Sequence, residues 1–331
     1  MIMKKYFARA FALCAVILIP CITLQFLNRN RDLTGVMSRT VETTIDLEEV
    51  TLPNNARDYF YCTSINSTLL YEVNGEFTQG MCMSDDHIYI AAADHNGNDY
   101  KIRKLDKNTL VVLGESTECY NHANGMAYNK NTNELVITGL DGRSGLYGTS
   151  GSQDYSLFVC DADTLKTKTM VCIENIVKGI SPDLLGISEI AYNDERNQYF
   201  VSTHYPNRYL IVLNEDFSLN SYMFMEPHSE SRGLHGDMTC DDDYIYFCRW
   251  MRENDVLLSA IDRYTYDGEF KGSCYLYGVT HIESIEIGSD GYCYANFIDF
   301  SNTRDLELYK FKIEDGYVLL DAGFYDLILY E

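Results

Sequence analysis

Five times along the chain a short apolar strand start is followed by a polar turn and a second strand, usually rich in Tyr. The starts are Gln79-Gly80-Met81, Asn124-Gly125-Met126, Ser188-Glu189-Ile190, Gly236-Asp237-Met238 and Glu283-Ser284-Ile285. The second strands are Ile88-Tyr89-Ile90, Leu135-Val136-Ile137, Tyr199-Phe200-Val201, Tyr244-Ile245-Tyr246 and Tyr292-Cys293-Tyr294. Aligned on the apolar residue, the copies lie 45, 64, 48 and 47 residues apart. Each repeat also carries a second hairpin with its own turn signal, such as Leu105-Asp106-Lys107-Asn108-Thr109-Leu110 and Cys160-Asp161-Ala162-Asp163-Thr164-Leu165. Two hairpins make four strands per repeat. An all-strand pattern with a period of about 40–50 residues is that of propeller blades. A two-sheet sandwich would not repeat in this way.

The expected fold is therefore an all-β propeller of five four-stranded blades. Tyr59-Phe60-Tyr61-Cys62 and Thr68 to Val73 precede the first repeat. Added to the last blade, they close the ring and hide a sheet edge; as a blade of their own they would make six. The second repeat is about seventeen residues longer than its neighbours, an excess that Gly139–Gly151 and Ile176–Leu185 can supply. The first of these is rich in Gly and reads as a surface loop.

Ahead of the repeats, Lys4, Lys5 and Arg9 precede a run from Ala10 to Leu27 without a charge. Residues 1–27 read as a secretory signal or a signal anchor, with the propeller at 58–331 placed outside the cytoplasm. No small-x-small cleavage site follows the run, which favours the anchor; cleavage would make the protein secreted. Residues 28–57 read as a polar tether. Residues 1–31 hold five basic residues and no acid, so the rest of the chain carries 21 basic against 49 acidic residues, a charge of −28. That charge opposes nucleic acid, whose phosphates need a basic face. The 11 cysteines are scattered singly, with no CxxC, and read as free thiols instead of a disulfide framework or a zinc site.

In a propeller the first strand of each blade faces the axis. The residues just before the aligned Met or Ile are Gln79, Asn124, Ser188 with Glu189, Asp237, and Glu283 with Ser284. Glu189, Asp237 and Glu283 thus bring three carboxylates toward one channel. Such a set can hold calcium, can serve glycosidase-like acid/base hydrolysis, or can simply line a wet channel. His122, His235 and His281 stand three or four residues before the same apolar positions, with Arg232 and His204 expected nearby. This rim suits a cell-surface ligand, glycan or peptide, and Asn124 falls within it. Structural histidines between blades are the plainer account of such residues. Asp241-Asp242-Asp243 and Ser84-Asp85-Asp86 occupy the turns between first and second strands, where Asp serves the backbone. No GxSxG, P-loop, HExxH or Rossmann glycine pattern stands in a suitable context.

The run Tyr120-Asn121-His122-Ala123-Asn124-Gly125-Met126-Ala127-Tyr128-Asn129 resembles a blade start in secreted and cell-surface bacterial propellers, including helveticin-like and cell-wall-associated members. Ile187-Ser188-Glu189-Ile190-Ala191-Tyr192 and Gln79-Gly80 are similar to other blades of that group, and the resemblance spans roughly residues 78–300. It implies the fold and a place at the cell surface more than a chemistry. Gly125 stands where that group often has Asp, which removes one carboxylate.

Overall fold

Short strands alternating with Asp-rich turns build a ring of antiparallel sheets. The computed structural model describes residues 39–42, 66–73, 75–93, 100–120, 122–139, 155–203, 208–225, 234–253, 256–277, 281–299, 305–313 and 318–319. All belong to one unit, Ser38–Glu331. Among the described residues the first strands are β1 (Arg39–Glu42) and β2 (Asn66–Val73). Blade one follows as β3 (Phe77–Met83), β4 (His87–Ala93), β5 (Lys101–Asp106) and β6 (Val112–Glu115). Blade two is β7 (Met126–Asn129), β8 (Glu134–Thr138), β9 (Ser156–Asp161) and β10 (Thr167–Cys172). Blade three is β11 (Ile187–Asn193), β12 (Gln198–Thr203), β13 (Tyr209–Asn214) and β14 (Leu219–Phe224). Blade four is β15 (Leu234–Cys240), β16 (Tyr244–Glu253), β17 (Val256–Thr265) and β18 (Phe270–Tyr277). Three strands of blade five complete the set, β19 (Ile282–Ile287), β20 (Cys293–Asp299) and β21 (Asp305–Phe311).

The fourth position of blade five is filled from the other end of the chain. β2 pairs antiparallel with β21, and β1 adds a further strand outside it. The strand over Thr68–Val73 thus closes the ring as the sequence suggests, and five blades result. Arg39–Glu42 falls inside the 28–57 stretch and joins the sheet. Blade four gains an outer strand too, β22 (Val318–Leu319), which pairs parallel with β18. Of the two stretches able to lengthen repeat two, Ile176–Leu185 contains most of a short helix, α1 (Glu174–Ile180), pinned by the buried Val177. Residues 140–151 of the other lie outside the described residues, as does the apolar run at 10–27. Among the described residues no helix is long and apolar enough to cross a membrane.

Packing follows from two-sided burial of each sheet. Five apolar clusters form, each shared by two neighbouring blades. Cys82, Tyr89, Met126 and Leu135 join blades one and two. Val136, Leu157, Ile190 and Val201 join two and three, and Phe200, Leu210, Met238 and Phe247 join three and four. Ile261, Cys274, Ile285 and Phe297 join four and five, and Tyr294, Leu306, Met81 and Ile88 join five and one. Burying a Leu, Ile or Phe side chain is worth roughly 1.5–3 kcal/mol, so each blade is held by its neighbours and not by a core of its own. Eight cysteines among the described residues are free thiols, and five of them are buried as small apolar residues. In the outer hairpin turns Asp106 Oδ1 accepts from the backbone of Asn108 and Thr109, and Asp161 Oδ1 does the same for Asp163 and Thr164.

Candidate functional site

The first strands β3, β7, β11, β15 and β19 lie against one another around the ring. In four of them the pairing register slips at the same place: between Thr78 and Met81, Ile187 and Ile190, His235 and Met238, and Ile282 and Ser284. A bulge leaves a residue out of the ladder and re-aims its neighbours. At the bulges of β11 and β15, and at the regular start of β7, a backbone N–H is taken up by a small polar group on the second strand. Thr138 Oγ1 accepts from Gly125 N at 2.8 Å, Ser202 Oγ from Glu189 N at 3.3 Å and Cys248 Sγ from Asp237 N at 3.0 Å. Such groups also latch the next blade. The Thr138 hydroxyl donates to Ser188 O at 2.8 Å, the Cys248 thiol to Glu283 O at 3.3 Å, and Asn296 Nδ2 to Gln79 O at 3.3 Å. The last contact carries blade five back to blade one. The fit leaves no room for a methyl group: a Cβ on Gly236 would stand 2.2 Å from Glu283 O.

These bulges gather a buried polar layer. Gln79, Asn124, Ser188, Glu189, Asp237, Glu283 and Ser284 are all less than a tenth exposed. The three carboxylates therefore do not line an open wet channel. Asp237 has no exposure; its Oδ2 accepts from Met81 N of blade one at 3.1 Å and its Oδ1 from its neighbour Met238 N at 2.8 Å. Glu283 meets His281, Oε1 to Nε2 at 3.2 Å, and is bonded by the Gln79 side chain. Asn124 Nδ2 donates to Ser188 Oγ at 2.9 Å, with His122 Nδ1 3.3 Å from its Oδ1. Glu189 faces Arg208, whose guanidinium lies over the Phe247 ring. Beyond them Arg249 and Asp262 form a fully buried two-pronged pair, at 2.6 and 2.9 Å.

Burial dominates the electrostatics. It pushes the carboxyl of Asp237 well above the usual range against the pull of the Met81 and Met238 N–H groups, and that of Glu283 likewise against the Gln79 bond. It raises Glu189 as well, with the Arg208 charge opposing. It lowers His281 to about 4. Burial thus disfavours charge on both partners of the His281–Glu283 pair.

His122 and His281 stand just before β7 and β19, at the same end of the ring as the buried layer. His235 lies in β15, but its side chain, and His204 and Arg232 entirely, fall outside the described residues. The structure adds Arg208 to this end, at the start of β13 and across from Glu189. A lone Arg before an apolar strand, as in Asn207-Arg208-Tyr209-Leu210, is the only trace of it in the sequence. Among the described residues no three His, Cys, Asp or Glu side chains converge to hold a metal ion.

At the other end of the first strands their turns surround a cavity of about 780 Å³, whose walls include Tyr128, Tyr192, Asp85, Asp194, Asp241 and Glu286. Burial raises the Glu286 carboxyl to about 8, while the Thr239 hydroxyl donates to it at 3.0 Å.

The fold and the polar layer define a five-bladed β-propeller. No family model matches the chain, and neither does any curated protein. Among solved structures it is similar to a protein of unknown function from Bacteroides caccae, at 12% identity and a TM-score of 0.38, over 67% of this chain and 72% of that one. It is also similar to the β-propeller domain of Myceliophteria thermophila Cps50 (Swd1), at 8% identity and TM-score 0.41, covering 73% and 99% of the two chains. U3-55K gives 9% identity and TM-score 0.40, over 72% and 98%. Likeness this distant assigns no family and no activity.

Proposed function

We propose that this propeller is an extracytoplasmic module, held to the membrane by residues 1–27, that binds a cell-surface glycan or peptide at the end of the ring where the first strands begin. The observation that carries the reading is the polar layer itself. Donors and acceptors from all five blades are fixed there by bulges and latches, with the partly exposed His122 and Arg208 at its margin. A binding surface is set up in this way, with its polar groups ordered before a ligand arrives. The similarity of Tyr120–Asn129 to secreted and cell-surface bacterial propellers supports the same placement, and the charge of −28 argues against nucleic acid.

Binding is favoured over glycosidase-like hydrolysis by Glu189, Asp237 and Glu283. Asp237 is shut off from solvent and both its oxygens hold backbone N–H groups. A general acid or base must instead reach the substrate. The test is a binding screen of the protein on cell-wall glycans and peptides, run beside an assay for released product. Substituting His122, Arg232 and His281 by Ala should weaken capture by about tenfold or more, with no product formed by any variant. Product formation by the wild type that is lost in Glu283→Gln would replace binding by catalysis. For the anchor, the full chain should sediment with membranes and a chain lacking residues 1–31 should stay in the supernatant.

A further inference from the structure

Between blades three and four a charged pair is enclosed with one hydrogen-bonding atom on each side unanswered. Glu189 is 1% exposed, yet its Oε2 has no hydrogen-bond partner, and Arg208 Nη1 is equally shielded and equally unpartnered, among the described residues. The approach between the two side chains, 3.7 Å from Nη2 to Oε1, is too long for a hydrogen bond and is Coulombic only. The guanidinium carbon is seated 5.2 Å over the Phe247 ring. Orphaned buried charges are costly and rare in folded proteins, and where they persist another group completes them.

We propose that Glu189 and Arg208 form a subsite for one hydroxyl of a carbohydrate, which donates to Glu189 Oε2 and accepts from Arg208 Nη1. The inference rests on the reading of this end of the ring as the ligand-binding face, and it selects carbohydrate over peptide. A hydroxyl is donor and acceptor on one oxygen, which is what an orphaned acceptor beside an orphaned donor requires. A peptide backbone group splits these roles between two atoms, and among peptides only a Ser, Thr or Tyr side chain offers such an oxygen, whereas a sugar offers one on most of its ring carbons. A carboxylate or phosphate would bring a second negative charge against Glu189, and an ammonium has nothing for Arg208 to donate to. The surroundings do not favour a charged ligand, since Glu189 is balanced by Arg208 and the neighbouring Arg249 by Asp262. Both facing atoms are shielded, and the Arg208 side chain, 19% exposed, is the part that must shift to admit the hydroxyl. Arg208 lies where β12 ends and β13 begins. There Thr203 pairs with Ile187, and Ser202 with Leu210, which sets it at the same end as Asn124 and Ser188.

The experiment screens the full-length protein on a carbohydrate array and a peptide array, then carries the best carbohydrate and its single-deoxy analogues into calorimetry. Glu189→Gln and Arg208→Lys are compared with wild type, with thermal melts as the check on folding. Each substitution should weaken the carbohydrate by about tenfold, the effect of one hydrogen bond to a charged group. One deoxy analogue should bind wild type about as weakly, and should lose nothing further in either variant. The deoxy series reads the same contact in the unaltered protein, so a variant that fails to fold does not remove the test. Unchanged carbohydrate affinity in both variants, or no deoxy analogue coupled to them, would overturn the subsite and leave the binding face standing. Capture of peptides alone would overturn the carbohydrate assignment and keep the face. Capture on neither array would overturn both.

Discussion

Replacing Glu286 by Gln should change how the stability of the propeller depends on pH. Glu286 sits in β19 at the wall of the cavity, and burial raises its carboxyl from 4.5 to about 8. Asp194 adds to the rise, while the Thr239 hydroxyl and the Lys107 charge oppose it. The folded pKa lies above the unfolded one, so between these values the folded state holds the proton more tightly. The associated stability is fully present below about 4.5 and is lost as pH rises through about 8. Each pKa unit is worth about 1.4 kcal/mol, which sets a ceiling of about 5 kcal/mol on the loss. Water admitted by the cavity lowers that figure. Gln keeps the shape and cannot ionise. Wild type and variant should therefore melt together near pH 5, and the variant should be more stable by about 2–5 kcal/mol at pH 9. At about 2–4 °C per kcal/mol for a domain of this size, the gain is at least about 4 °C. Circular dichroism melts from pH 5 to 9 read it directly. Asp237, Glu283 and Glu189 are raised in the same direction, so both proteins should weaken in base; the difference between them isolates Glu286. His281 works oppositely. Its lowered pKa contributes stability above about 6.5 that is lost as pH falls through about 4. Parallel curves for wild type and variant across the whole range would refute the reasoning.

Gly236→Ala should cost about 2–3 kcal/mol in urea unfolding, because the new Cβ would meet Glu283 O at 2.2 Å and Cys248 Sγ at 2.7 Å; a near-neutral result would mean blades four and five are not packed this closely. Asn296→Ala removes the bond to Gln79 O and the 2.7 Å bond from Ser284 Oγ, and should lower stability by about 2 kcal/mol, with an unchanged urea midpoint as the contrary outcome. Calcium at millimolar concentration should leave the melting temperature within about 1 °C, because the oxygens of Asp237 hold two N–H groups, Glu283 holds His281 and Gln79, and Glu189 faces Arg208. A concentration-dependent rise that a chelator reverses would instead establish a calcium site on these three carboxylates.

The ring was legible because a blade cannot bury itself. Every repeat must present apolar residues on both faces of its middle strands, and so Ile88-Tyr89-Ile90, Leu135-Val136-Ile137 and Tyr199-Phe200-Val201 recur without a polar break. The closing strand showed itself through Leu69-Leu70-Tyr71. Arg39–Glu42 did not, since four residues of mixed character pairing with Asn66–Leu69 bear no periodicity that a tether would lack. Nor did Val318–Leu319, a two-residue parallel pairing with β18. The bulges were invisible for another reason. A register slip is a relation between two strands, and only the partner's small polar residue, Ser202 or Cys248, hints at it.

The polar layer was legible as a position and illegible as an environment. Alignment on the apolar residue placed Gln79, Asn124, Glu189, Asp237 and Glu283 together, but not what satisfies each. Asp237 takes its N–H from Met81, 156 residues away, and Glu189 meets an Arg that no repeat predicts. The far cavity teaches the converse. Part of its acidic wall comes from turn residues that the sequence reads as local backbone partners, and Asp241 is that: its Oδ1 accepts from Asp243 N and Tyr244 N, and its Oδ2 accepts from Tyr246. Asp194 Oδ2 is engaged by Lys130, while its Oδ1 has no hydrogen-bond partner among the described residues, and Asp85 is engaged by Ser289. Carboxylates occupied in this way hold turns in place and leave few oxygens for a ligand. At the opposite end Glu189 likewise keeps one buried oxygen unanswered, there beside an unanswered guanidinium nitrogen, among the described residues. A ligand gains more from completing a buried orphan pair than from competing with turns that water already reaches, which is the reason the proposed binding is set at the end where the first strands begin.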